Sequence, residues 1–197
     1  MIKNQPLTRD DLMSLEQYAQ HRVSFRAAVI EHKKNRRVSI GEYLHLYFED
    51  RLTVQYQVQE MLRIEKVFEA DGIEDELGAY NPLIPNGRNL KATAMLEYQD
   101  VEQRKQQLAL LRGIEDTIWV QVDDFERVYA ISNEDLERSN AEKTSAVHFM
   151  RFELEPPMIA ALHSGARLSM GSSHESYPFS TEVDAATHSA LLADLAA

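Results

Sequence analysis

Apolar residues recur at helical spacing from the start of the chain. Thr8 with Asp11 has the form of a capping box, and Leu12, Leu15, Tyr18 and Ala19 follow at intervals of three and four. A second helix is expected from Phe25 to about Asn35. At Val38 the period changes to two: in "VSIGEYLHLYF" Leu44, Leu46 and Phe48 alternate with Tyr43, His45 and Tyr47, a strand or a hairpin broken at Gly41. "EDRLTVQYQVQEMLRIEKVFE", Glu49 to Glu69, holds no glycine or proline and reads as one helix, with a short helix after Gly72. "NPLIPNG" has two prolines and an Asn-Gly pair and must turn. "NLKATAMLEY" then reads as a strand, "DVEQRKQQLALLRG" as a helix, and "TIWVQV" and "RVYAIS" as two strands joined at "DDFE". Ser132 with Asp135 caps another helical segment. "TSAVHFMRFEL" is apolar on both faces, the mark of a central strand. Pro156 and Pro157 open a helix, "ARLSMG" supplies an edge strand, and Val183 to Ala197 closes the chain as a helix. The sum is an α+β fold, one domain over residues 1–197, with a mostly antiparallel sheet of about five or six strands and helices packed on it.

The long helix carries charge where its periodicity calls for apolar contact. With Arg51 at zero and about 100° per residue, Met61, Val54, Val58 and Leu62 fall near 280°, 300°, 340° and 20°. Glu65 falls near 320°, between Val54 and Val58, so burial is expected of it. Glu60, near 180°, lies between Val67 and Ile64, and Gln57 projects among Ile64, Phe68 and Met61. A buried carboxylate needs a partner, because leaving it alone costs several kcal/mol. Arg63 lies three residues from Glu60 and can pair with it. Arg151 is the other candidate, on the strand face that carries Val147 and Phe149, while His148 points to the opposite face. On this reading, removing Glu65 from an arginine partner costs roughly 3–5 kcal/mol. A salt-bridge network locking the helix to the sheet and a carboxylate–arginine pocket both account for the pattern.

Composition narrows the chemistry. With no cysteine, disulfides, thiol catalysis, thiolate zinc sites and ordinary iron–sulfur ligation are all excluded. A net charge of −11 opposes binding to polyanions, and nucleic acid is not expected. "HKKNRR", His32 to Arg37, reads as a cationic last helical turn complementing the helix dipole. The start "MIKNQPLTRDDL" has no apolar h-region and no stretch approaches the roughly 18 apolar residues of a spanning helix, so a cytoplasmic protein away from membranes is expected.

Motif searches add exclusions. Glu42-Tyr43-Leu44-His45 is the only Glu-x-x-His match, but on a strand its ends face opposite ways, and a di-iron site would need a second copy. Asp184 and His188 read as a helix cap and a surface histidine. No metal site and no cofactor are expected. Phosphate loops, dinucleotide fingerprints and the Gly-x-Ser-x-Gly elbow are absent. Asn81, Arg88 and Lys91 flank the proline-rich loop and could hold an anion, with a solvated turn as the plainer reading.

Three blocks, "FEDRLTVQYQVQEMLRIEKVFE", "YNPLIPNGRNLKATAMLEY" and "EKTSAVHFMRFEL", resemble an uncharacterised bacterial family, domain of unknown function 3501. The resemblance runs from "LTRDDL" to "LLADL". It carries no catalytic residues with it. It implies a redox setting, with a rubrerythrin-like protein or an iron–sulfur oxidoreductase of the heterodisulfide-reductase type as partner. A cysteine-free chain would serve there as a non-catalytic accessory subunit. The alternative is an enzyme or small-molecule binder built on the carboxylates and arginines of the long helix.

Overall fold

A computed structural model describes residues 4–134, 138–139 and 142–196. Polar caps set the helix boundaries. Thr8 and Asp11 close only a 3-10 turn, Arg9–Asp11, and Ser14 opens helix α1, Leu15–Lys33, by accepting from the Gln17 amide while the Gln17 side chain returns to the Ser14 amide. The two helices expected here are therefore one. Strands β1, Arg37–Ile40, and β2, Leu44–Phe48, form a hairpin turning at Gly41, whose φ is +66°. Asp50 and Thr53 exchange bonds of 2.9 Å to start α2, Arg51–Glu65. Lys66, in the left-handed region at φ +57°, ends α2 four residues before the expected boundary. Helix α3, Ala70–Tyr80, and a 3-10 turn, Asn81–Leu83, lead into β3, Asn89–Leu96. The remaining elements are α4, Val101–Leu110; β4, Ile118–Val122; β5, Val128–Tyr129; β6, Ile131–Ser132; β7, Val147–Glu153; α5, Pro156–His163; β8, Leu168–Ser172; β9, Ser180–Glu182; and α6, Ala185–Leu192. The capping partner expected of Ser132, Asp135, lies outside the described residues. No helix among the described residues is long and apolar enough to cross a membrane.

The fold is α+β and its strand pairings are antiparallel, in two sheets rather than one: β1-β2-β3-β7-β6 and β5-β4-β8-β9. "RVYAIS" is the reason. The segment passes from the side of β4 to the side of β7 around Ala130, so its halves belong to different sheets, as corner strands do. The short polar β9 was not legible as a strand, and its pairing makes β8 internal where an edge was expected. In the first sheet the middle strand is β3, and β7 lies one place further out.

The two faces of the first sheet differ. Leu46, Phe48, Leu90, Ala92 and Phe152 join Ile118, Val120, Leu168 and Met170 of the second sheet in the main core, to which Leu108, Ile159, Leu162 and Leu191 of α4, α5 and α6 contribute. A smaller cluster of Val54, Val58, Leu62, Leu77 and Ile84, with Leu7, holds α2, α3 and the N-terminal segment together. The other face of the first sheet carries Tyr47, Thr93 and Phe149 in register, with Lys91 opposite Arg151.

Gly171 marks a close approach of strands and ring in the second sheet. A Cβ there would lie 2.4 Å from the Trp119 ring and 2.8 Å from the Phe179 carbonyl. Gly171→Ala is expected to lower stability by about 1–3 kcal/mol through overpacking, with a blue or red shift of the emission of Trp119, the single tryptophan, reporting the displaced ring.

Candidate functional site

The second face of the first sheet is roofed at one end by helices. Met61 of α2, Glu76, Ala79 and Tyr80 of α3, and Pro82 and Leu83 of the following turn stand over Lys91, Phe149 and Arg151, and Glu134 closes the side. The cleft is open to solvent on one side, has a volume of about 430 Å³ and a mainly apolar lining, within the roughly 300–1,000 Å³ range of small-ligand sites. Alternation along β3 and β7 explains the placement: Lys91 and Arg151 are cross-strand partners, so both point off the same face.

Their states differ. Arg151 is paired with two carboxylates: Nε and Nη2 donate to Glu134 at 2.9 and 2.8 Å, and Nη1 donates to Glu153 at 2.7 Å. These bonds, Glu134 first, hold its guanidinium firmly protonated, and the Arg151 contact lowers the Glu134 carboxyl. Burial alone would raise the Glu153 carboxyl, but hydrogen bonds from Asn89 and Arg151 outweigh it and lower it. Lys91 is half-buried and makes no hydrogen bond or ion pair among the described residues. Burial pushes its ammonium downward, Glu134 and Glu153 oppose this, and Arg151 adds to it. Across the cleft, burial raises the Glu76 carboxyl, with Glu65 and Asp75 adding repulsion, and burial also raises the Tyr80 phenol. The cleft thus has one unpaired ammonium on a rigid sheet, facing apolar side chains and a carboxyl biased toward its neutral form.

The family described as "Protein of unknown function (DUF3501)" matches residues 6–195. This chain belongs to that family. The crystal structure of a novel protein of unknown function from Burkholderia pseudomallei K96243 is 54% identical, covers 97% of this chain and 100% of its own, and superposes with a TM-score of 0.92. No curated protein matches the chain.

In this member of DUF3501 the polar residues singled out from the sequence occupy separate places. Glu60 lies in a cluster between α1 and α2: Arg22 Nε and Nη2 donate to it at 2.7 and 2.9 Å, the Tyr18 hydroxyl at 2.6 Å and Arg63 Nη2 at 3.3 Å. Arg22 and Tyr18 were not anticipated, although both follow at i and i+4 on one face of α1. Glu65 is exposed, contrary to its expected burial. Its bearing matches the apolar stripe, but it is the last residue of α2, and the chain leaves the helix at Lys66. Ile64 and Phe68, supposed neighbours of a buried Gln57, are 59% and 69% exposed. The side-chain amide oxygen of Gln57 is nevertheless buried, with no partner among the described residues. Arg151 and Lys91 meet in the cleft, whereas Asn81 clamps the backbone of Leu7 through bonds of 2.7 and 2.9 Å, and Arg88 is exposed. Asp184 caps α6, and the His188 ring lies 3.0 Å from the Ala166 carbonyl.

His148 faces the core within a third cluster. The Asn133 amide donates to its Nδ1 at 3.0 Å, so Nε2 carries the proton toward the Ser145 carbonyl at 3.0 Å, and the Thr144 hydroxyl lies 2.9 Å from Nε2. Thr144 donates to Glu115 at 2.8 Å, and the Ser139 hydroxyl also bonds Glu115. Burial lowers the His148 imidazolium despite Glu115, leaving a neutral ring. None of these side chains lines the cleft. Among the described residues no three His, Asp or Glu side chains are grouped as metal ligands would be.

Proposed function

We propose that the cleft binds a small anionic amphiphile, with the acid group at Lys91 and the apolar body along Met61, Leu83 and Phe149. The observation that carries this is the unpaired Lys91 ammonium beside an arginine each of whose three nitrogens already donates to a carboxylate. A half-buried ammonium with no direct ion pair gains from an incoming carboxylate, which supplies that pair while its hydrocarbon covers apolar surface. Calorimetric titration with octanoate and benzoate is expected to show one saturable site. Lys91→Met should weaken it by more than about tenfold, and Lys91→Arg should recover part of the loss. Equal affinity of Lys91→Met and the parent protein, or no heat with either acid, would sink the reading.

A second reading keeps the accessory role in the cytoplasm, beside a rubrerythrin-like protein or an iron–sulfur oxidoreductase. Its support is the family resemblance and the charge of −11, which suits docking to a basic partner surface. Affinity purification from native cells that repeatedly recovers neither kind of protein counts against it.

A further inference from the structure

Beyond the β1–β2 hairpin lie two more cavities, of about 220 and 420 Å³, that share Glu42, Tyr43 and Gln103 and form one groove with no residue in common with the cleft. Its aromatic side is preorganised. Tyr43 and Tyr98 stack with centroids 4.4 Å apart at 22°, and Tyr177 meets Phe179 edge-on at 4.8 Å. The Tyr177 hydroxyl is consumed by structure, donating to the Ile40 carbonyl at 2.8 Å and accepting from the Tyr43 and Leu44 amides. Tyr98 is different. Its ring is buried, with the residue 4% exposed, while its hydroxyl, which has no hydrogen-bond partner among the described residues, opens to the groove instead of being sealed in the core. Burial, with Tyr177, Tyr43 and Glu42 adding to it, pushes this phenol up to about 12, so it keeps its proton.

The groove is electronegative. Glu42 has no ion pair or hydrogen bond among the described residues, and Glu97 accepts from the Tyr47 hydroxyl at 2.7 Å. His45 lies 3.8 Å from Glu97, but burial and Arg37 both lower its pKa, so it supplies no counter-charge near neutral pH. Among the described residues no lysine or arginine lines either cavity. Of the nearby cations, Arg37 is stacked over the Tyr47 ring at 5.6 Å and Arg104 is directed to the Tyr98 carbonyl at 3.3 Å. Two carboxylates, tyrosine faces and a free phenol oxygen together present acceptors and negative ring faces to whatever enters.

We propose that this groove binds a small organic cation, an aliphatic amine or guanidine, with its charged head toward Glu42 and Glu97 and its carbon chain on the tyrosines. Calorimetric titration with agmatine and spermidine is expected to give one saturable site per chain. Glu42→Gln and Glu97→Gln should each weaken it about tenfold, and Tyr98→Phe several-fold with an unchanged melting temperature, since that hydroxyl bonds nothing in the free protein. Lys91→Met should leave it unchanged, which separates this groove from the cleft. A paired Glu74→Gln and Asp75→Asn variant on α3 controls for attraction to the acidic surface. An equal loss in that control, non-saturable binding, or binding of a neutral sugar such as maltose that ignores both carboxylate changes overturns the proposal.

Discussion

Replacing Arg36 with methionine is expected to destabilise the protein by about 3–5 kcal/mol near pH 8, read as a lower urea midpoint. Arg36 is 2% exposed and ties three distant segments together. Its Nε donates to the Phe48 carbonyl at 3.0 Å, Nη1 to the Ala190 carbonyl at 3.3 Å and Nη2 to the Glu49 carbonyl at 3.1 Å, and Nη2 also pairs with Asp194. Asp50, which caps α2, lies 3.4 Å from Nη1 and 2.5 Å from His32 Nε2. Methionine fills the volume and leaves two carboxylates without their cation. Burial, helped by Asp50, already raises the Asp194 carboxyl to about 6, against the pull of Arg36. A carboxyl raised in the folded state contributes stability at pH below its unfolded value and loses it as pH rises through the folded value. Without Arg36 the Asp194 value climbs further, so the variant's deficit should shrink when the same curves are measured near pH 5. Arg37→Met, at an exposed position stacked on Tyr47, should cost at most about 1 kcal/mol. Equal midpoints for the two variants would refute the role given to Arg36.

The contrast between neighbours shows where sequence reasoning stops. "HKKNRR" is a cationic helix end as far as Lys33 and the capping Lys34. Two residues on, in the turn just before β1, the same charge type points inward to carbonyls 12 and 154 positions away. Local propensity marks the helix end, but only the tertiary path decides which arginine is swallowed. The hairpin at Gly41, the turn before β3 and the proline-opened α5 were legible because turn and cap chemistry is local. The division into two sheets was not, since it depends on a bend at Ala130 within a continuous strand-like run.

Glu60→Ala is expected to cost about 2–3 kcal/mol, because it strands the hydroxyl of the fully buried Tyr18 and the paired Arg22 guanidinium. Glu65→Ala, at an exposed position, should fall within about 0.5 kcal/mol, which replaces the large effect expected from periodicity alone. The Arg22 bond, followed by those from Tyr18 and Arg63 and outweighing burial, lowers the Glu60 carboxyl to about 2. A carboxyl lowered on folding contributes stability that is fully present above its unfolded value near 4.5 and is lost as pH falls through the folded value. The gap between parent and Glu60→Ala in urea unfolding should therefore narrow between about pH 5 and pH 2. A gap that holds constant across this range would show that the pairing does not act through the carboxylate's charge.

For the candidate cleft, sequence reasoning named Lys91 and Arg151 on unrelated grounds, one beside a loop and one within an apolar strand. What joins them is the β3–β7 register, set by pairings some 60 residues apart in the chain. Glu134, the bidentate partner of Arg151, sits just beyond the two-residue β6, where no periodicity exists to be read. Glu76 belongs to an amphipathic α3 whose partner surface the sequence does not identify.

The two sides of the cleft are also unequal in stiffness. Lys91 rides on β3, hydrogen-bonded along both edges, while α3 opposite anchors itself through Leu77 as its one buried residue among those described. Amide exchange should be slowest on the first and fast on the second. On the proposed reading, an occupant's head group would meet a fixed gauge and its hydrocarbon a wall that can yield. Selectivity in such a cleft is then expected to be strict about charge and lax about chain length.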